Sequence, residues 1–137
     1  MPEGSSANNT EAYLLGLSSL KSLNLANKYV QKFVMSGENK LEELILGHPN
    51  KYYYNPYWSS DTSAARISLT GSTYLQKFNL QNCVSFRSAL DFSPCPIINT
   101  ILLTGSSVSA ITLPRNGNLI ELRLPITIKN LIIDSHK

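Results

Sequence analysis

At 137 residues, 42% of them hydrophobic, the chain suits one domain with a core of its own. The net charge of +3 comes from scattered residues, with no like-charge run longer than the pair Glu42 and Glu43, which excludes a nucleic-acid groove of clustered Lys and Arg. No stretch of 18 apolar residues is present, so no membrane insertion is expected, and nothing in the composition calls for a cofactor.

Residues 1–10 are polar, lack the apolar stretch of a signal peptide, and read as a disordered or extended segment. From Thr10 the run TEAYLLGLSSL reads as a short helical or irregular N-terminal cap. Thr10 is a helix-capping residue, Glu11 falls in the first turn, and Tyr13, Leu14, Leu15 and Leu17 are available to cover an open first coil.

A six-residue motif then recurs ten times: apolar, any, apolar, and a small or turn-forming trio. The copies are LNLANK, FVMSGE, LILGHP, ISLTGS, FNLQNC, LDFSPC, ILLTGS, ITLPRN, LRLPIT and LIIDSH, starting at 23, 33, 44, 67, 78, 90, 101, 111, 122 and 131. Three residues before each start stands an apolar anchor, Leu20, Val30, Leu41, Ala64, Leu75, Ile98, Val108, Leu119 and Ile128, with Arg87 as the exception. The apolar-any-apolar step is the period-two signature of a strand with two side chains inward and one outward. Two successive copies span 20 to 23 residues, enough for one coil. The fold expected for residues 11–137 is therefore mostly β: a leucine-rich-repeat-like β-solenoid of five to six coils with two short strands per coil.

Grouping the starts by coil puts 23, 44, 67, 90, 111 and 131 in one set and 33, 78, 101 and 122 in the other, with one strand missing near residue 55. At the fifth motif position stand Asn27, Gly37, Gly71, Asn82 and Gly105, residue types that tolerate positive φ. An inward Asn such as Asn82 is also suited to bond the backbone of an adjacent coil. Cys83 and Cys95 occupy the sixth position of consecutive copies. They are expected on opposite sides of the solenoid, beyond disulfide reach, as small buried thiols.

The 23-residue gap holds an aromatic insertion, residues 51–63, with Tyr52, Tyr53, Tyr54, Tyr57 and Trp58 as candidate binding residues. Such rings are able to anchor a protein interface or stack on a cell-surface glycan, or else to pack back on the solenoid in place of the missing strand. The outward strand residues include Val34, Ile45, Leu102 and Ile132, which point to a protein partner or a neighbouring domain of a parent chain. The chain stops directly after a full motif copy. It is therefore expected to be an excerpt of a longer polypeptide or to have its last coil covered by a partner.

The stretch from Cys83 to Ile133, CVSFRSALDFSPCPIINTILLTGSSVSAITLPRNGNLIELRLPITIKNLII, resembles leucine-rich-repeat-like modules of large structural proteins of bacteriophages that infect gut Bacteroidales, and is similar to bacterial surface-antigen leucine-rich repeats. The likeness lies in the order of its turns, and the opening PEGSSANNTEAYLLG looks like the entry segment of the same modules. The chain departs from the family pattern at Arg115-Asn116-Gly117-Asn118, at Arg87 and in the aromatic insertion. The resemblance implies a virion or extracellular location and supplies no catalytic residues.

Sugar-cleaving solenoid chemistry would need paired carboxylates about 5 to 10 Å apart on one face. Asp91 has only Ser68 and Thr112 at the matching positions of the grouped coils, and His48 and His136 fall in turns. The expectation is a non-catalytic structural or protein-interaction module, part of a larger virion protein, with a host-surface adhesin working through the aromatic insertion as the alternative.

Overall fold

The computed structural model describes residues 10–16, 18–26, 30–50, 65–115 and 118–133. Among them every regular element is a strand: β1 (Thr10–Leu15), β2 (Ser22–Asn24), β3 (Val30–Ser36), β4 (Glu43–Ile45), β5 (Ala65–Ile67), β6 (Lys77–Asn79), β7 (Leu90–Asp91), β8 (Thr100–Leu102), β9 (Ala110–Leu113), β10 (Glu121–Arg123) and β11 (Asn130–Ile133). Even-numbered strands form one five-stranded sheet, and odd-numbered strands form two three-stranded sheets, β1-β3-β5 and β7-β9-β11. All eight ladders are parallel. The expected mostly-β solenoid is what the chain forms, with about five turns.

The ladders correct how the copies are grouped. Leu44 pairs with Phe78, and Met35 pairs with Ile67. The copies at 23, 44, 78, 101 and 122 thus share one face, and those at 33, 67, 90, 111 and 131 belong to the other. The described strands already supply each face in every coil, so the regrouping removes the gap that the spacing placed near residue 55. The 23-residue interval runs from β4 to β5. It carries residues 51–64, which lie outside the described residues together with Tyr52, Tyr53, Tyr54, Tyr57 and Trp58.

The N-terminal segment is also not a helix. It is β1, whose Ala12 and Leu14 pair with Phe33 and Met35, while Gly16 N donates to Ser36 O. AYLLGL is a further motif copy with Gly16 at the fifth position, where φ is +65°. Pairing with β3 brings six residues of the segment into one parallel ladder, an outcome that the polar-capped helical reading of Thr10 left out.

Four of the turns share one hydrogen-bond scheme. The third-position carbonyl accepts from the sixth-position N–H, at Leu69/Ser72, Leu80/Cys83, Phe92/Cys95 and Leu103/Ser106. The sixth-position carbonyl then accepts from the anchor N–H three residues on, at Ser72/Leu75, Cys83/Phe86 and Cys95/Ile98. The inside of this double turn has room only for a small side chain, which is why Ser72, Cys83, Cys95 and Ser106 are all buried there. Phe86, not Arg87, is the anchor of its coil; the extra residue of that 12-residue interval is absorbed after it, leaving Arg87 exposed. Gly37, Gly71, Asn82 and Gly105 all adopt the expected positive φ. The core runs along the axis, with Phe78 from one face meeting Phe92 from the other edge-on at 5.2 Å.

Candidate functional site

Three of the outward residues have a local task. Asn24, Asn79 and Asp91 accept from the backbone N–H two residues on, at Ala26, Gln81 and Ser93, so they pin the turn that follows each strand. Asn82 behaves as the sequence suggested, donating through Nδ2 to the carbonyls of His48 at 2.8 Å and Pro49 at 3.1 Å in the neighbouring coil. The outward row on the five-stranded face is Asn24, Ile45, Asn79, Leu102 and Arg123, in register. Val34 lies instead on the other side, between Tyr13 and Arg66. The outward apolar residues therefore do not line up as one stripe.

The two thiols are free and buried. Burial pushes the Cys83 thiol well above its ordinary range; Cys95 is pushed up to about 12, first by burial and then by the Asp91 carboxylate. Neither is poised as a nucleophile, since a reactive cysteine needs a depressed pKa. Above the unfolded-state value near 9 the unfolded chain releases these protons while the folded chain retains them, so stability falls as pH rises. The unfolding free energy taken from urea titrations is expected to drop between pH 9 and 11, and to drop less in a Cys83→Ala/Cys95→Ala variant. Equal slopes in the two proteins would rule out a thiol contribution.

The last coil concentrates the exposed apolar surface. In β9 the inward residues Ile111 and Leu113 are 1% and 7% exposed, whereas their ladder partners in β11, Leu131 and Ile133, are 49% and 62% exposed. Ile120, Ile126 and Ile132 are exposed on the same coil. Leu119, Leu122, Leu124 and Ile128 pack only partly against the core. Between these layers lies an apolar slot of about 180 Å³, lined by Ile98, Leu113, Pro114, Leu119 and Ile133, with Arg115 at its rim. Glu121 and Arg123 form an exposed ion pair on β10, of little energetic weight in water. Ile120 lies between copies and Ile126 at the fifth, turn position of its copy, so the motif marks neither as apolar surface, and the slot forms only where anchors and strand ends of successive coils meet. The inward residues of the final copy are the one signal that leads there.

The parallel ladders, the repeated double turn and the continuous axial core define a parallel β-solenoid. No family model, curated protein or solved structure matches the chain.

Proposed function

We propose that this chain is a non-catalytic structural and protein-interaction module of a larger virion protein, engaged through its last coil by a protein partner or a neighbouring domain. The observation that carries the interaction is the exposure of Leu131 and Ile133 at positions that are buried one coil earlier, over an open apolar slot. Among the described residues no strand pairs with the outer edge of β11, so a docking strand there gains ladder hydrogen bonds and apolar contact together. The virion assignment is supported by the order of turns from Cys83 to Ile133. An adhesin working through Tyr52 to Trp58 rests on residues outside those described.

The Leu131→Asn/Ile133→Asn variant tests the docking surface. Because both side chains are exposed, the variant is expected to keep the wild-type unfolding free energy to within about 1 kcal/mol. Binding of an apolar fluorescent dye, and any concentration-dependent association seen by light scattering, are expected to fall. A loss of about 2–5 kcal/mol, the range of buried leucines, would mean that the chain itself covers these residues, and the proposed docking surface would not exist.

A further inference from the structure

A second concavity lies at the corner where three glycine turns stack. A Cβ placed on Gly37 would sit 3.4 Å from Gly16 N, and one on Gly71 would sit 2.8 Å from the Glu38 Cα. The turns therefore meet backbone to backbone, and side chains are absent from the middle of the corner. Its floor is fixed by buried Asn39, which donates to Ser72 Oγ at 2.9 Å and to Gly37 O, and accepts from Leu41 N. Above this floor opens a trough of about 610 Å³ whose walls carry Ser18, Glu38, Lys40, Thr73 and Tyr74.

The chemistry of the walls is selective. Tyr74 is half exposed, and the Lys40 ammonium stands 5.9 Å from its ring centroid. Glu38 only accepts hydrogen bonds, Lys40 only donates them, and the hydroxyls of Ser18 and Thr73 do both. One carboxylate and one ammonium leave no net field that would collect a polyanion or a polycation. A ligand that satisfies all four polar groups and also covers an aromatic face has hydroxyls that both donate and accept, and an apolar C–H face. The volume falls in the range of small-ligand sites.

We infer that this corner trough binds a neutral saccharide, with Tyr74 as the stacking platform and Glu38, Lys40, Ser18 and Thr73 as partners of its hydroxyls. The site is separate from the last coil and does not depend on the docking role proposed for it.

The test is a titration of the full chain with a panel of neutral mono- and disaccharides, read by amide chemical shifts. Saturable shifts are expected at residues 38–40 and 72–75 for at least one sugar. Tyr74→Ala is expected to weaken that binding about tenfold, with an unchanged circular dichroism spectrum. Tyr74→Phe should retain it, and Glu38→Gln should weaken it. The inference is overturned if no sugar of the panel gives saturable shifts at that corner. It is equally overturned if a bound sugar is indifferent to Tyr74→Ala, or if binding is lost on Trp58→Ala and not on Tyr74→Ala.

Discussion

Phe78→Ala is expected to lower the unfolding free energy by about 3–5 kcal/mol, a large part of the roughly 5–15 kcal/mol that holds a domain together. Phe78 is fully buried in β6, the middle strand of the five-stranded face, with Leu44 and Ile101 as its ladder neighbours and Phe92 across the core. Removing the ring leaves a cavity that a parallel ladder on both sides cannot close, since β6 is held in register by β4 and β8. The position in the solenoid adds a second consequence. Stability in a solenoid is approximately a sum over coils and their nearest-neighbour contacts, so weakening a central coil uncouples the two halves. Urea unfolding is expected to shift to lower midpoint and to broaden. Broadening without a shift, or a loss below about 1 kcal/mol, would show that the β6 side chain is not part of a continuous core.

Much of the fold is written in the repeat, because a strand with two inward residues and a left-handed turn is a local pattern. Leu80, Ile101 and Leu103 are buried where the apolar-any-apolar step puts them, and Gly37, Gly71, Asn82 and Gly105 hold the turns where the fifth position puts them. Which copies become neighbours is not local. Whether Leu44 meets Ile67 or Phe78 depends on how the chain closes across residues 46–64, and spacing alone favours the shorter coil; the ladders place Phe78 beside Leu44. β5 is displaced further, since Phe33 pairs with Ala65 and Met35 with Ile67, two residues ahead of the motif alignment. Phe86 shows the same limit on a smaller scale: the double turn counts three residues from Cys83, whereas the motif counts back from Leu90, and a 12-residue interval separates the two rules by one position. Of the functional surfaces, the last coil was legible through its inward residues. The Tyr74 trough was not, because its members come from three coils and only stacking brings them together.

Gly47→Ala is expected to cost as much as emptying the core, and for a different reason. Gly47 lies two residues past the end of β4, and a Cβ added there would sit 2.1 Å from Gln81 O, 2.4 Å from Gln81 N and 2.7 Å from Leu80 C. All three atoms are backbone, so no side chain is available to turn away. Relief requires the two coils to separate where Leu46 N and Gly47 N both donate to Asn79 O, at 2.8 and 3.1 Å, and His48 N donates to Gln81 O at 3.2 Å. Three backbone hydrogen bonds at about 0.5–1.5 kcal/mol each, plus disturbed contact between buried Leu46 and Leu80, give a loss of about 3–5 kcal/mol. Gly16→Ala is the control. Gly16 has nothing within 4 Å of an added Cβ and only its φ of +65° to object, so about 1 kcal/mol is expected there. Hydrogen exchange separates this cause from a general loss of stability. In the Gly47 variant, protection is expected to fall first at Leu46, Gly47 and His48, while the β8–β10 ladder keeps its protection relative to global unfolding. Uniform loss across all ladders, or equal cost for Gly16→Ala and Gly47→Ala, would mean that the close approach of the two coils at Gly47 does not limit the fold.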